Sequence, residues 1–179
     1  MNDLDKIPLV DLVGQYRRYK EELDVAIHKI LDTGAFVGGK VVSDFEAAFA
    51  QFCGTKHAVG VGNGTDALYL IFRALGIKAG DEVLVPANTF IASAEAVSMT
   101  GAAPVFVDVN EDTALMDPSC AEAAISDKTK AILPVHLYGQ LVPMGPIMAL
   151  AEKHGLSVVE DSAQAHGAER DGIRAGAYG

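Results

Sequence analysis

The sequence predicts an α/β protein, a three-layer α/β/α arrangement built on a mostly parallel sheet. Three observations carry that reading. Short apolar runs alternate with segments of helical periodicity, half of the 179 residues are hydrophobic, and many of the 18 glycines stand at the ends of the apolar runs. Alternating strands and helices bury both faces of a parallel sheet, and glycine lets the connecting turns approach a ligand.

Each element follows in order. Residues 11–32 place Leu12, Tyr16, Tyr19, Leu23, Ile27 and Ile30 at helical steps, with Gly34 as the stop. A second helix is expected from Ser43, an N-cap three residues before Glu46, turning Phe45, Phe49 and Phe52 inward. A strand over 57–61 leads through Val-Gly-Asn-Gly into a helix over 65–75. Strand 82–85, helix 89–99 and strand 104–109 follow. Asp117 and Pro118 read as N-cap and first residue of the next helix, before strand 131–135, helix 145–154 and strand 156–160. Ligands of such sheets gather at the carboxyl ends of the strands.

Bulk properties narrow the function. The net charge is −10, and the only dense basic spot is Arg17, Arg18 and Lys20, which reads as a solvated helix face. That argues against nucleic-acid binding, which needs clustered cations. Cys53 and Cys120 are far apart and form no metal-spaced pair, so reduced thiols and no metal are expected. The first residues are acidic where a secretion signal is basic, and the apolar stretch 131–151 holds His136, Gln140 and three prolines. A cytoplasmic protein without a membrane span is the expectation.

Three segments at strand ends carry chemistry. In 59–68, Val-Gly-Val-Gly-Asn-Gly-Thr-Asp-Ala-Leu, residues Gly64, Thr65 and Asp66 begin a helix whose unpaired N–H groups favour a phosphate. The segment lacks the lysine of a Walker loop and the spacing of the dinucleotide fingerprint, and a capped glycine turn without ligand is its alternative. In 86–97, Phe90 at a helix start is either a face for a planar cofactor or a core residue. In 158–168, Asp161 stands at a strand end with Glu160, Gln164 and His166. It either pairs with a protonated ring nitrogen or caps a local turn. Together they match the needs of pyridoxal phosphate (PLP): donors for the phosphate, a stacking face, and an anion for the pyridine nitrogen. A nicotinamide-dinucleotide fold is the architectural competitor, but Glu82 precedes the second strand and Asn88 follows it, so its ribose-binding carboxylate is out of place.

Seven ordered segments then resemble the DegT–DnrJ–StrS sugar-nucleotide aminotransferases, within the fold-type-I PLP enzymes. They are residues 7–16, 33–46, 63–68, 80–93, 101–109, 129–140 and 158–168. The resemblance implies that Gly64, Thr65 and Asp66 hold the PLP phosphate, Phe90 covers the ring, Asp161 pairs with its nitrogen and Gln164 bonds near its O3′ hydroxyl. It also implies that Gly34, Phe36, Gly38 and His136 lie near a sugar-nucleotide substrate. L-Glutamate is the implied amino donor, and a homodimer the implied assembly.

Residues 1–32 correspond to an N-terminal arm and helix, and 33–179 to an incomplete large domain without the small C-terminal domain. The Schiff-base lysine of the family is expected in a Ser-Phe-x-x-x-Lys-like segment beyond Gly176–Gly179, and no lysine here stands in that context. Transamination by this chain alone is therefore not expected. Two other readings stand beside it. One is a sugar dehydratase of the same family, since relatives with histidine at the lysine position dehydrate the sugar; the other is an inactive piece or binding module.

Overall fold

A computed structural model describes residues 10–179. They fall into two compact units, one ending at Phe45 and the other running from Glu46 to Gly179. The first is dominated by α1 (Leu12–Thr33). Asp11 caps it by accepting from the Gly14 amide, and Gly34 ends it in the left-handed conformation at φ 65°, which only glycine adopts without strain. The expected helix and stop are both present. The part of the first matching segment before residue 10 lies outside the described residues.

Helix α2 (Lys40–Cys53) crosses the boundary between the units. Ser43 is not its cap: it sits inside the first turn and its hydroxyl donates to the Lys40 carbonyl at 3.0 Å. The Gly38–Gly39 pair, both at positive φ, sets the helix start further upstream. Phe45 and Phe52 are exposed rather than turned inward, while Phe49 is half-buried and stacks on Phe52 at 6.1 Å between ring centres.

The second unit continues with α3 (Gly64–Ala74), β1 (Glu82–Pro86), α4 (Ile91–Ser98), β2 (Ala103–Val107), α5 (Pro118–Ala123) and β3 (Thr129–Ile132). A 3-10 turn (Leu137–Gly139), α6 (Met144–His154) and β4 (Ser157–Val158) follow. A two-stranded antiparallel pair, β5 (Glu169–Arg170) and β6 (Ile173–Arg174), closes it. The main sheet runs β2-β1-β3-β4, and every pair is parallel.

Right-handed crossovers fix the layers. The chain moves one way from β1 to β2 and the other way from β2 to β3 and β3 to β4. This puts α4 on one face and α5 and α6 on the other. The packing agrees, since α3 lies on α4 and α5 on α6. Val83, Leu84 and Val85 of β1 and Ala131, Ile132 and Leu133 around β3 are fully buried. A strand covered on both faces needs such an unbroken apolar run.

Two strand expectations are corrected. Residues 57–61 enter no ladder among the described residues, and a strand exists only by pairing. The last strand is shorter than 156–160 because Pro134, two residues past the end of its partner β3, has no N–H to continue the ladder. Pairing resumes beyond it as a single bridge between Val135 and Asp161. The Asp161 amide donates to Pro134 O at 2.9 Å and the His136 amide to Asp161 O at 3.0 Å. Asp161 is thus pinned by its backbone at the carboxyl edge of the sheet.

Candidate active site

The connection after β1 leaves toward one face and that after β3 toward the other. Ligands of open α/β sheets bind at the crevice such a reversal creates. A cavity of about 250 Å³ lies there, lined by Gly64, Thr65 and Leu68 of α3, Thr89, Phe90 and Ala92 after β1, Val135 and Leu137 after β3, and Asp161, Ala163 and Gln164 after β4. Five of the residues predicted to bind a cofactor therefore share one cavity: Gly64, Thr65, Phe90, Asp161 and Gln164.

Asn63 caps α3, its side-chain oxygen accepting from the Asp66 amide at 2.9 Å. The Asp66 carboxylate turns back to accept from the Asn63 side-chain amide at 2.9 Å, and a Cβ at Gly62 would stand 2.7 Å from it. Asp66 is therefore a capping residue with its own N–H occupied, and it does not line the cavity. The N–H groups of Gly64 and Thr65, in the first turn, have no intrahelical partner and remain for an anion.

At the other side, the Asp161 carboxylate is held by two donors. The Ser93 hydroxyl donates to Oδ2 at 2.9 Å, and the Ala163 amide to Oδ1 at 3.2 Å. Ser93 is fully buried on α4 and shares a hydrogen bond of 2.9 Å with the Thr89 hydroxyl. The sequence reading missed Thr89 and Ser93. Their signal was two hydroxyl residues four apart, one helical turn, directly after the strand that carries Phe90. Phe90 itself is 69% exposed at the start of α4, so it is no core residue. Gln164 is oriented from behind, its Oε1 accepting from the Tyr138 amide at 2.8 Å. Tyr138 sits at φ 58°, a costly conformation for a residue with a side chain.

His136 lies elsewhere. It is fully buried and absent from the cavity lining; its Nε2 meets Glu160 Oε2 at 2.8 Å and its Nδ1 accepts from the Val142 amide at 3.1 Å. A ring with both nitrogens engaged inside the fold does not present itself to a substrate, and the expectation of substrate contact gives way to a structural one. Gly34, Phe36 and Gly38 belong to the first unit, where Phe36 is exposed and Gly38 has a positive φ. His166 packs edge-on against Phe49. Among the described residues no cluster of side chains suits a metal.

The donor set fits a phosphorylated pyridine. Two amides and a threonine hydroxyl suit a phosphate, and a hydrogen-bonded carboxylate across the same cavity suits a protonated ring nitrogen. The aminotransferase profile named for DegT, DnrJ, EryC1 and StrS matches residues 17–179.

The chain belongs to that family. Its members are PLP-dependent aminotransferases. The chain is 51% identical over 172 residues to the dTDP-3-amino-3,4,6-trideoxy-α-D-glucose transaminase of Streptomyces venezuelae, covering 96% of this chain and 45% of the relative. It is 48% identical to the dTDP-3-amino-3,6-dideoxy-α-D-galactopyranose transaminase of Aneurinibacillus thermoaerophilus, covering 97% and 48%. The crystal structure of S. venezuelae DesV superposes with a TM-score of 0.94 at 50% identity, over 96% of this chain and 46% of that one. NtdA from Bacillus subtilis, solved with the cofactor PMP, gives 0.86 at 35% identity, over 93% and 38%. The chain thus spans about half the length of the curated relatives it matches. Membership settles the α/β fold and the cofactor class, and the dinucleotide alternative falls away.

Proposed function

We propose that the protein contributes the cofactor-binding half of an enzyme that transfers an amino group from L-glutamate to a keto-sugar nucleotide. The observation that carries the proposal is Asp161, held by Ser93 and Ala163 across one cavity from the unpartnered Gly64 and Thr65 amides. The relatives' names supply the substrate class, and two of them act on dTDP sugars.

In this reading Gly64 and Thr65 bind the phosphate at the positive end of α3. Asp66 acts one step back, keeping the turn closed through Asn63. Phe90 covers one face of the ring, and Gln164 donates toward its hydroxyl from the amide end that Tyr138 leaves free. Asp161 keeps a proton on the ring nitrogen, and Ser93 holds that carboxylate in the one orientation that faces the ring. When bound, PLP supplies an electron sink for the bond that the transfer breaks. A lysine that the resemblance places beyond Gly179 shuttles the proton. Residues 33–179 then form part of the large domain, with Gly34, Phe36 and Gly38 near the sugar nucleotide, and the active protein is a cytoplasmic homodimer.

The test is the half-reaction of the complete gene product. With PLP and L-glutamate, the cofactor absorbance is expected to pass to the amine form, and Asp161→Asn to slow that conversion roughly 100-fold or more. An unchanged spectrum under glutamate, with a sugar nucleotide losing water instead, would favour dehydration.

A further inference from the structure

Glu160 carries a cluster of hydrogen bonds that the cavity chemistry does not use. Its carboxylate, 3% exposed, accepts from four donors: His136 Nε2 at 2.8 Å and the Gly176 amide at 3.0 Å on Oε2, and the Tyr178 and Gly179 amides at 2.7 and 2.8 Å on Oε1. The state of His136 follows from its other nitrogen. Nδ1 accepts from the Val142 N–H, so the ring proton sits on Nε2 and is donated to Glu160. A neutral histidine and an ionised glutamate satisfy every bond in the cluster.

Glu160 and Asp161 are successive residues at one strand end, so their side chains leave on opposite sides of the backbone. Asp161 lines the cavity, whereas Glu160 ties together three segments: the turn after β3, the end of β4 and residues 176–179. The Glu160 carboxylate is also linked to one of the two backbone contacts of Asp161, because the residue whose amide donates to Asp161 O is His136 itself. His136 therefore grips the pair twice, by its amide to Asp161 and by its ring to Glu160.

We propose that Glu160 is a positioning residue, which through His136 and the amides of 176–179 fixes the strand end that aims Asp161 into the cavity. The proposal rests on the reading of Asp161 as the partner of the pyridine nitrogen. Glu160→Gln keeps the size of the side chain but sets an NH2 group against two donors, whichever way the amide is turned. Asp161 is then released from one of its anchors. Glu160→Asp keeps the charge and withdraws it by one methylene.

The experiment uses pyridoxamine 5′-phosphate labelled with ¹⁵N at the ring nitrogen, which binds without a lysine. Calorimetry gives the affinity, and the ¹⁵N shift across pH gives the protonation of the ring nitrogen. E160Q is expected to weaken binding roughly tenfold, in the range that loss of an orienting partner costs at metal sites. It is also expected to lower the pH at which the nitrogen deprotonates, with E160D between it and the wild type. Hydrogen exchange is expected to quicken at Gly176, Tyr178 and Gly179 while the amides of β1 and β3 stay protected. Where E160Q does not fold, His136→Gln, which keeps a donor and an acceptor at that place, is read in its stead with a smaller shift of the same sign. A folded variant that binds within twofold of wild type with an unmoved nitrogen titration overturns the proposal. Failure of the wild type itself to bind sinks the reading of the cavity instead.

Discussion

At the residue scale, the site is decided by which donors remain unpaired. Asn63 is as important as the residues that face the cavity, since it occupies the Asp66 amide and leaves those of Gly64 and Thr65 aimed outward. Asn63→Ala removes both the cap and the bond to the Asp66 carboxylate. The expected loss is about 1 kcal/mol of stability, as for other N-caps, with weaker phosphate binding because the first turn loosens. Urea denaturation and titration with inorganic phosphate measure the two effects separately. The sequence showed the glycines and the threonine; it could not show that Asp66 turns back on its cap. The bond from the Asn63 side-chain amide holds the carboxylate there, and Gly62 leaves the room for it.

At the element scale, the strand ends carry the function. The order of the helices and of the four main-sheet strands was legible, because buried parallel strands are continuous apolar runs and Asp117–Pro118 or Gly34 mark helix ends directly, whereas the short β5–β6 pair was not. The failures were non-local. Residues 57–61 have strand composition without a ladder, and Pro134 cuts the β3–β4 pairing short from the neighbouring strand. His136 looked like a ligand-facing histidine because nothing local reveals that Val142 and Glu160 take both its nitrogens.

The Glu160 cluster has a consequence for stability. Burial pushes its carboxyl up, but the His136 ring and three backbone amides together outweigh burial and hold it below its ordinary value of 4.5. A depressed folded value means that the ion contributes stability in full above the ordinary range, and the contribution disappears as pH falls through the folded value. The urea midpoint is expected to drop as pH falls through the ordinary carboxylate range and past it, and to drop less in E160Q, which has no proton to gain there. Equal pH dependence in the two proteins would place the acid sensitivity on other carboxylates.

At the scale of the whole molecule, a doubly covered parallel sheet gathers residues from four separate connections into one crevice. Residues 64, 90 and 161 are far apart in sequence, and the reversal of chain direction around β1 brings them together. That is why each motif alone was ambiguous while their order was not. Among the described residues no helix is long and apolar enough to cross a membrane. On the reading proposed above, the crevice receives a phosphorylated pyridine in one orientation. The direct measurement is a crystal structure with pyridoxamine 5′-phosphate. Its phosphate is expected on the Gly64 and Thr65 amides and its ring nitrogen on Asp161. A cofactor bound away from Asp161, or with its phosphate elsewhere than the start of α3, would contradict it.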